Sequence, residues 1–144
     1  MNEKGTYVLV VTLDKSARFS AGRLPETEFR PGTYLYIGRA RKGLRGRLNR
    51  HITKNKKVYW HIDHLLQRAQ IEQIWIKHNF FEECRTAEKI NAFLDRDSTR
   101  INRFGSSDCR CSGHLFFSSK KTEDLEPLRT ALDFEKVNIQ GDHV

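Results

Sequence analysis

Two apolar segments near the start of the chain limit the folds that are open to it. Residues 5–13, GTYVLVVTL, and residues 33–37, TYLYI, are rich in β-branched and aromatic residues, as buried strands are. The polar segment between them holds two glycines and two prolines, and we expect a small hairpin around residues 18–24. The short connection predicts that the two strands pair antiparallel. A chain of 144 residues can bury such a core in one domain.

The rest of the chain alternates amphipathic helices with short strands. Leu44, Leu48 and Ile52 recur every four residues and predict a helix over residues 43–52. Further predictions are helices over residues 60–69, 80–94 and 123–132, strands over residues 71–76 and 115–118, and a turn at residues 104–108. The tail from Lys136 is polar and is expected to fray. The predicted fold is one α/β (α+β) domain over residues 1–144, ordered over about residues 5–132, with a small, mostly antiparallel sheet flanked by helices.

Positive charge is concentrated in one segment. The formal net charge is +8, from 26 Lys and Arg against 18 Asp and Glu. Residues 39–57 hold nine of the cations and no acid, so the rest of the chain is almost neutral. A solvated helix face is the plain interpretation, but a cluster of one sign is typical of a protein that binds a phosphate backbone. The expected nucleic-acid contacts are Arg39, Arg41, Lys42, Arg45, Arg50, Lys54, Lys56, Lys57 and, from the next helix, His61.

Signals for export or membrane insertion are missing from the sequence. No apolar run approaches the roughly 20 residues that a membrane-spanning helix needs. The first five residues, MNEKG, do not resemble a signal peptide. We therefore expect a cytoplasmic protein with no membrane partner, whose three cysteines are kept reduced.

Residues able to do chemistry recur at spacings that bring them together. Gly5-Thr6-Tyr7 opens the first strand and Tyr36-Ile37-Gly38 closes the second, so antiparallel pairing places two phenols at one edge of the sheet. Arg47 and His51 are four residues apart and share a helix face. Glu83 lies on a later helix. Taken alone, each of these residues has a simpler interpretation. The tyrosines fit ordinary aromatic residues of a strand, and His51 fits a residue on the surface of a helix. Glu83 fits an acidic residue at the start of a helix.

This arrangement resembles the GIY-YIG nucleases, and the Uri-type branch in particular. Residues 5–7 stand for GIY, with Thr6 where Ile is usual, and residues 36–38 are a literal YIG. Arg47 falls one residue later after the YIG glycine than in the commonest spacing. The resemblance covers residues 5–117, and its further blocks are YLYIG at 34–38, WHIDHL at 60–65, Glu83-Cys84 with Ala87, FGSSDCRC at 104–111 and HLF at 114–116.

The resemblance implies a metal-dependent endonuclease that hydrolyses DNA phosphodiester bonds. Its metal ligand for Mg²⁺ or Mn²⁺ would be Glu83, with Glu88 as the second choice, and Arg47 would stabilise the phosphoryl group. Nearby cations and the metal are expected to lower the phenol pKa values, so that Tyr7 or Tyr36 acts as a general base or orients water. Relatives are sometimes fused to DNA-repair glycosylases, so we expect a repair-linked, structure- or strand-selective activity and a repair-protein partner. The implied catalytic residues are Tyr7, Tyr36, Arg47, His51 and Glu83.

Other functions remain open on the sequence. The chain fits a nucleic-acid-binding module without catalysis, which would keep the basic segment alone. It also fits a protein-interaction or RNA-processing role in which the last helix docks a partner. A structural Zn²⁺ site is a further possibility, because Cys and His side chains are the ligands that zinc prefers. Its ligands would be Cys84, Cys109, Cys111 and His114.

Overall fold

A six-stranded antiparallel sheet forms the centre of the protein, in a computed structural model that describes residues 3–94, 98–106, 112–141 and 143–144. The strands are β1 Gly5–Leu13, β2 Ala17–Phe19, β3 Thr27–Phe29, β4 Gly32–Ala40, β5 Gln70–His78, β6 Thr99–Ile101, β7 Leu115–Ser118 and β8 Glu135–Val137. The helices are α1 Leu44–Ile52, α2 His61–Leu66, α3 Glu83–Phe93 and α4 Glu126–Leu132. The sheet order is β6-β7-β4-β1-β5-β8, and β2 and β3 form a separate hairpin. The predicted fold class, a small antiparallel sheet flanked by helices, is confirmed.

The pairing of β1 with β4 sets the geometry of the whole sheet. Each strand is nine residues long, and they run antiparallel with Tyr7 opposite Gly38 and Leu9 opposite Tyr36. β5 lies on the other side of β1, so β1 has neighbours along both edges. The apolar composition of β1 and β4 follows from this position, because central strands bury both of their faces.

Alternation along the strands gives the sheet two faces. The first, which we call the site face, carries Tyr7 and Tyr36 and is covered by α1, α2 and the β2–β3 hairpin. The second, the back face, is covered by α3 and α4. Its sheet residues are Val8, Val10, Leu35, Ile37, Trp75 and Phe116.

Local sequence explains where the helices begin and end. Leu44 and Leu48 bury the predicted apolar stripe of α1 against the site face. Pro127 lies in the first turn of α4, where its missing N–H costs nothing, and a short 3₁₀ turn precedes it. Asp133, with φ of 59°, ends α4 in the left-handed conformation. None of the helices in the described ranges is long and apolar enough to cross a membrane.

Several predicted boundaries differ from the structure. The tail does not fray at Lys136, because β8 pairs with β5 and Val144 donates its N–H to Asn49 at 2.8 Å. The strands β6 and β8 were not predicted, because each has three polar or mixed residues, too few to show a periodic pattern of hydrophobic residues. The helix expected from residue 80 begins at Glu83. β5 buries only its centre, residues 74–76, rather than both faces along its length.

Candidate active site

A hydrogen bond between two buried side chains lies at the centre of the site face. The Tyr7 hydroxyl is 2.7 Å from Nε2 of His51, and both side chains are buried. Arg47 donates towards the same phenol oxygen, so we assign the phenol proton to the bond with Nε2. Tyr36 lies on the same face, with its ring centroid 6.5 Å from that of Tyr7. β1, β4 and α1 thus bring three of the predicted catalytic side chains into one ring cluster.

Glycine 38 makes room for the Tyr7 ring. A Cβ atom on Gly38 would lie 2.4 Å from both Cζ and the hydroxyl of Tyr7, a distance that no packing adjustment of the ring accommodates. Gly105, with φ of +74°, approaches the Tyr36 ring in a similar way, at 3.1 Å. The glycines at these positions are therefore explained by ring packing, without any contact with substrate.

Burial keeps this cluster uncharged. It raises the pKa of Tyr7 to about 12, although the charge and hydrogen bond of Arg47 act in the opposite direction. Burial also raises the pKa of Tyr36 well above its ordinary value. It lowers the pKa of His51 to about 3, with help from the positive charge of Lys56. The prediction that cations lower the phenol pKa values is therefore wrong for the protein alone, because desolvation outweighs Arg47.

The second ring nitrogen of His51 faces a different environment. Nδ1 is buried and has no hydrogen-bond partner within the described part of the chain. His51 also lines a cavity of about 230 Å³, together with Ile52, Lys54, Leu66 and Ile71. A cavity of this size has room for water, which is the usual partner of a buried ring nitrogen.

Two arginines contact the Trp60 ring beside this pair. The guanidinium groups of Arg47 and Arg50 lie 4.4 and 4.2 Å from the ring centroid, a cation–π distance. Arg47 also donates to the carbonyl oxygen of Arg39 at 2.9 Å. Trp60 in turn lies 5.7 Å from the His51 ring. These contacts hold Arg47, half-buried, next to the phenol of Tyr7.

Asp63 fixes the segment that carries Trp60. Its carboxylate is fully buried and accepts two hydrogen bonds from Arg50, at 3.0 and 2.9 Å. It also accepts the backbone N–H groups of Tyr59 and Trp60, each at 2.9 Å, which caps the start of α2. Burial raises the pKa of this carboxyl, but these hydrogen bonds outweigh burial and lower it overall. The carboxylate is therefore charged at neutral pH.

Of the two candidate metal ligands, Glu83 is the one near the phenols. Its charge acts on the pKa values of both Tyr7 and Tyr36. It is buried at the first turn of α3 and pairs with Arg39 at 3.2 Å. Glu88 instead is exposed and pairs with Arg100 at 2.8 Å. The structure therefore places Glu83, and not Glu88, among the predicted catalytic side chains.

The basic segment divides into exposed and internally bound cations. Lys54 donates to the carbonyls of Leu66 and Ala69, and Lys56 to those of Arg50 and His51 at the end of α1. His61 is also engaged, because its Nδ1 accepts the N–H of Gly105 at 2.9 Å. Arg41 contacts the ring of Phe81 at 4.9 Å. The exposed residues among the predicted nucleic-acid contacts are Arg41, Lys42, Arg45, Lys54 and Lys57, and of these Lys54 is bound to backbone carbonyls.

The predicted zinc ligands are only partly described. Sγ of Cys84 and Nε2 of His114 lie 3.5 Å apart, but Cys84 is disulfide-bonded and so is neither a reduced thiol nor a thiolate ligand here. Cys109 and Cys111 lie outside the described residues. Burial lowers the pKa of His114 to about 4. Within the described ranges, no group of three or more His, Cys, Asp or Glu side chains is arranged to hold a metal ion.

Sequence reasoning indicated that Asp63, like His61, could orient DNA or the metal, but it missed the pairing of Asp63 with Arg50 and the contacts of Trp60. The acid at the third position of a helix that directly follows a basic run is a capping signal, and it identifies Asp63 in retrospect. No sequence signal predicts that two arginines of α1 contact the Trp60 ring. That contact depends on how α1 and α2 cross the sheet.

The fold and this cluster define a mixed α/β protein whose antiparallel sheet carries a buried Tyr–His pair with an arginine and a carboxylate beside it. The family described as Domain of unknown function DUF123 matches residues 6–136, and the chain belongs to this family. No curated protein and no solved structure matches the chain.

Proposed function

We propose that this protein is a metal-dependent endonuclease that hydrolyses DNA phosphodiester bonds. The observation that supports it most is the Tyr7–His51 hydrogen bond of 2.7 Å with Arg47 beside the phenol and Glu83 nearby. Hydrolysis of a phosphodiester needs an acceptor for the proton of water, a cation for the phosphoryl charge and help for the departing oxygen. The cluster offers a group for each of these tasks.

The sequence resemblance supports the same proposal. The residues on which the chain resembles the GIY-YIG nucleases include members of β1, β4, α1 and α3, which are spread over residues 5–93. Tyr7, Tyr36, Arg47, His51 and Glu83 lie near one another in this fold. Chance motif matches have no reason to meet at one place. We infer that the protein is a GIY-YIG-type nuclease of the Uri-type branch, acting in the cytoplasm in DNA repair or processing, with a repair protein as partner.

Arg47 and the Tyr7–His51 pair divide the chemical work in this proposal. The planar guanidinium of Arg47 can bind two phosphate oxygens at once, which a lysine cannot do. The phenol of Tyr7 can pass its proton to Nε2 of His51 and accept one from the attacking water. With pKa values of about 12 and about 3, that transfer is unfavourable in the protein alone, and a positive charge would assist it only by lying closer to the phenol oxygen than to His51.

Glu83 fits a divalent cation as the source of that charge. One carboxylate completed by waters and substrate phosphate oxygens is a usual arrangement for Mg²⁺, and Mn²⁺ takes similar ligands. Such an ion supplies positive charge that lowers the pKa of nearby groups and neutralises the phosphoryl oxygens. Arg39, which now pairs with Glu83 at 3.2 Å, is long enough to turn to a phosphate instead.

A binding module without catalysis is the second candidate. Two observations favour it: Arg39 already neutralises Glu83, and burial keeps the Tyr7 phenol protonated. In that case the exposed cations of the basic segment would bind nucleic acid, and the buried cluster would serve stability alone. Binding that weakens steeply with salt, with no cleavage in any metal, is the expected behaviour.

Cleavage of end-labelled DNA tests the two candidates. Single-stranded, duplex and flap substrates are incubated with Mg²⁺, Mn²⁺ or EDTA. Tyr7→Phe is compared with Tyr34→Phe, which removes a phenol hydroxyl from the same sheet face that bonds only the Arg30 carbonyl, at 2.7 Å. We expect metal-dependent cleavage that falls by about 10²-fold or more in Tyr7→Phe and persists in Tyr34→Phe. Binding without cleavage under every condition would instead establish the second candidate.

A further inference from the structure

Tyr59 carries the most exposed large apolar side chain in the described part of the protein. Among the described residues, two large apolar side chains are exposed: Tyr59 at 76% and Phe93 at 41%. Tyr59 lies two residues after Lys57, at the end of the basic segment. A single exposed aromatic residue is ordinary on a protein surface. Its surroundings are what set this one apart.

The backbone of Tyr59 is held rigidly although its ring is in solvent. Its N–H donates to Oδ2 of Asp63 at 2.9 Å, and Asp63 is fully buried and bound by Arg50. The Tyr59 ring meets the Trp60 ring edge-on, with centroids 5.6 Å apart and planes 81° apart. The ring is thus displayed in a fixed orientation, and little conformational entropy is lost when a ligand packs on it.

Tyr59 is also connected to the candidate active site by direct ring contacts. Trp60, which it touches, lies 5.7 Å from the ring of His51 and 4.4 Å from the guanidinium of Arg47. A nucleic acid strand with a phosphate on Arg47 therefore passes close to Tyr59. The exposed side chain of Lys57 adds positive charge on the same approach.

An aromatic ring with a free face beside a row of cations matches the chemistry of an unpaired nucleobase. Base–aromatic stacking stabilises single-stranded complexes, and it works for every base because each has a π face. Bases inside a duplex already stack on their neighbours, so they have no face to offer without unstacking. We propose that Tyr59 is a stacking platform for an unpaired base next to the scissile phosphate, which makes single-stranded or branched DNA the substrate class.

Metal-free binding separates this inference, which rests on the proposed endonuclease function, from cleavage itself. Affinity is measured in EDTA for a single-stranded oligonucleotide containing 2-aminopurine and for the matched duplex. The variants are Tyr59→Ala, Tyr59→Trp and, as the matched control for loss of an exposed ring, Phe93→Ala. Thermal unfolding shows that each variant is folded.

We expect Tyr59→Ala to weaken single-strand binding by about tenfold or more and duplex binding by less than about twofold. Tyr59→Trp and Phe93→Ala should retain the wild-type affinity. Stacking on Tyr59 should quench 2-aminopurine fluorescence when the wild type binds the oligonucleotide, and this quenching should be lost in Tyr59→Ala. Equal losses for both DNA forms, or no loss, overturn the inference, as does a wild type that binds no single strand. If the wild type shows the Tyr59-dependent binding but never cuts, the stacking platform stands and the endonuclease proposal fails.

Discussion

The two faces of the central sheet are built from the same strands and differ in almost everything else. On the back face, Ile37 and Trp75 are fully buried in a cluster of apolar side chains, and the indole N–H of Trp75 donates to the side chain of Gln73 at 3.0 Å. On the site face, the neighbouring positions carry Tyr36 and Tyr7, and buried polar groups such as His51 lie against them. Successive residues of a strand point to opposite faces of the sheet. Neighbouring residues therefore lie either in the apolar core or in the candidate active site. The comparison suggests that the back face supplies stability and the site face supplies function.

The free energy terms on the two faces differ in kind. Each fully buried aliphatic side chain of the back face contributes roughly 1.5–3 kcal/mol from burial. The site face buries Tyr7, His51 and Asp63, groups whose desolvation is unfavourable unless hydrogen bonds compensate for it. Asp63 is compensated by Arg50 and two backbone N–H groups, and Tyr7 by His51. A site of this type depends on a strong core on the other side of the sheet.

The largest effect on cleavage is expected from substituting one of the two candidate metal ligands of α3 and not the other. Glu83→Gln should lower metal-dependent cleavage by about 10³-fold, because a neutral amide no longer attracts a divalent cation beside the phenols. Glu88→Gln, on the exposed side of the same helix, should leave the cleavage rate unchanged, because Glu88 is exposed and pairs with Arg100. Single-turnover cleavage rates at saturating Mg²⁺ measure both. Equal losses, or a loss in Glu88→Gln alone, would move the metal ligand to Glu88.

Two adjacent residues of β4 give the next largest effect. Ile37→Ala should cost about 2–5 kcal/mol in the free energy of unfolding, because it opens a cavity in the back face. Tyr36→Phe should change that free energy by about 1 kcal/mol or less and lower cleavage by about 10²-fold. Urea unfolding and cleavage rates are compared at a temperature where both variants are folded. A back-face variant that stays folded but loses cleavage would break the division between the faces.

The smallest expected effect is a pH dependence of stability. The folded pKa of His51, about 3, lies below its ordinary value of 6.5, so the unfolded chain binds more protons between these values. Its contribution to stability is therefore complete above about pH 6.5 and is lost as the pH falls, by up to about 1.4 kcal/mol per pH unit.

The variant that tests this dependence is His51→Gln. Its free energy of unfolding should change less with pH than that of the wild type between about pH 7 and about pH 5. His114, whose pKa is lowered to about 4, acts in the same direction and remains in the variant, so some slope persists. Urea unfolding across this range provides the measurement. Identical slopes in wild type and variant would show that His51 is charged or exposed in the folded protein.

The sequence predicts the centre of this fold better than its edges. β1, β4 and α1 were predictable because their apolar residues repeat with a clear period. β6 and β8 are three residues long and form because β7 and β5 present unpaired backbone groups to them, which is a property of the folded sheet. The local sequence pattern contains no information about which strand edges will be available for pairing.

The candidate site shows the same limit. The family resemblance, together with helical spacing, identified Tyr7, Arg47 and His51 before the structure was known. The rise in the phenol pKa values of the protein alone was not predicted, because burial depends on how α1 and α2 cover the sheet. The Trp60 contacts were likewise out of reach, since side chains on separate helices meet only through the tertiary fold.

The close approach of Tyr7 to Gly38 also has a consequence for how the chain reaches its native pairing. If β4 slipped by two residues along β1, the tyrosines would keep their face, but Tyr36 or Ala40 would lie opposite Tyr7 in place of Gly38. Either residue has a Cβ atom, and at Gly38 a Cβ would meet the phenol ring at 2.4 Å. Slipped hairpins are therefore disfavoured, because the ring would have to move. One glycine favours the native alignment of β1 and β4 during folding, before any substrate is bound.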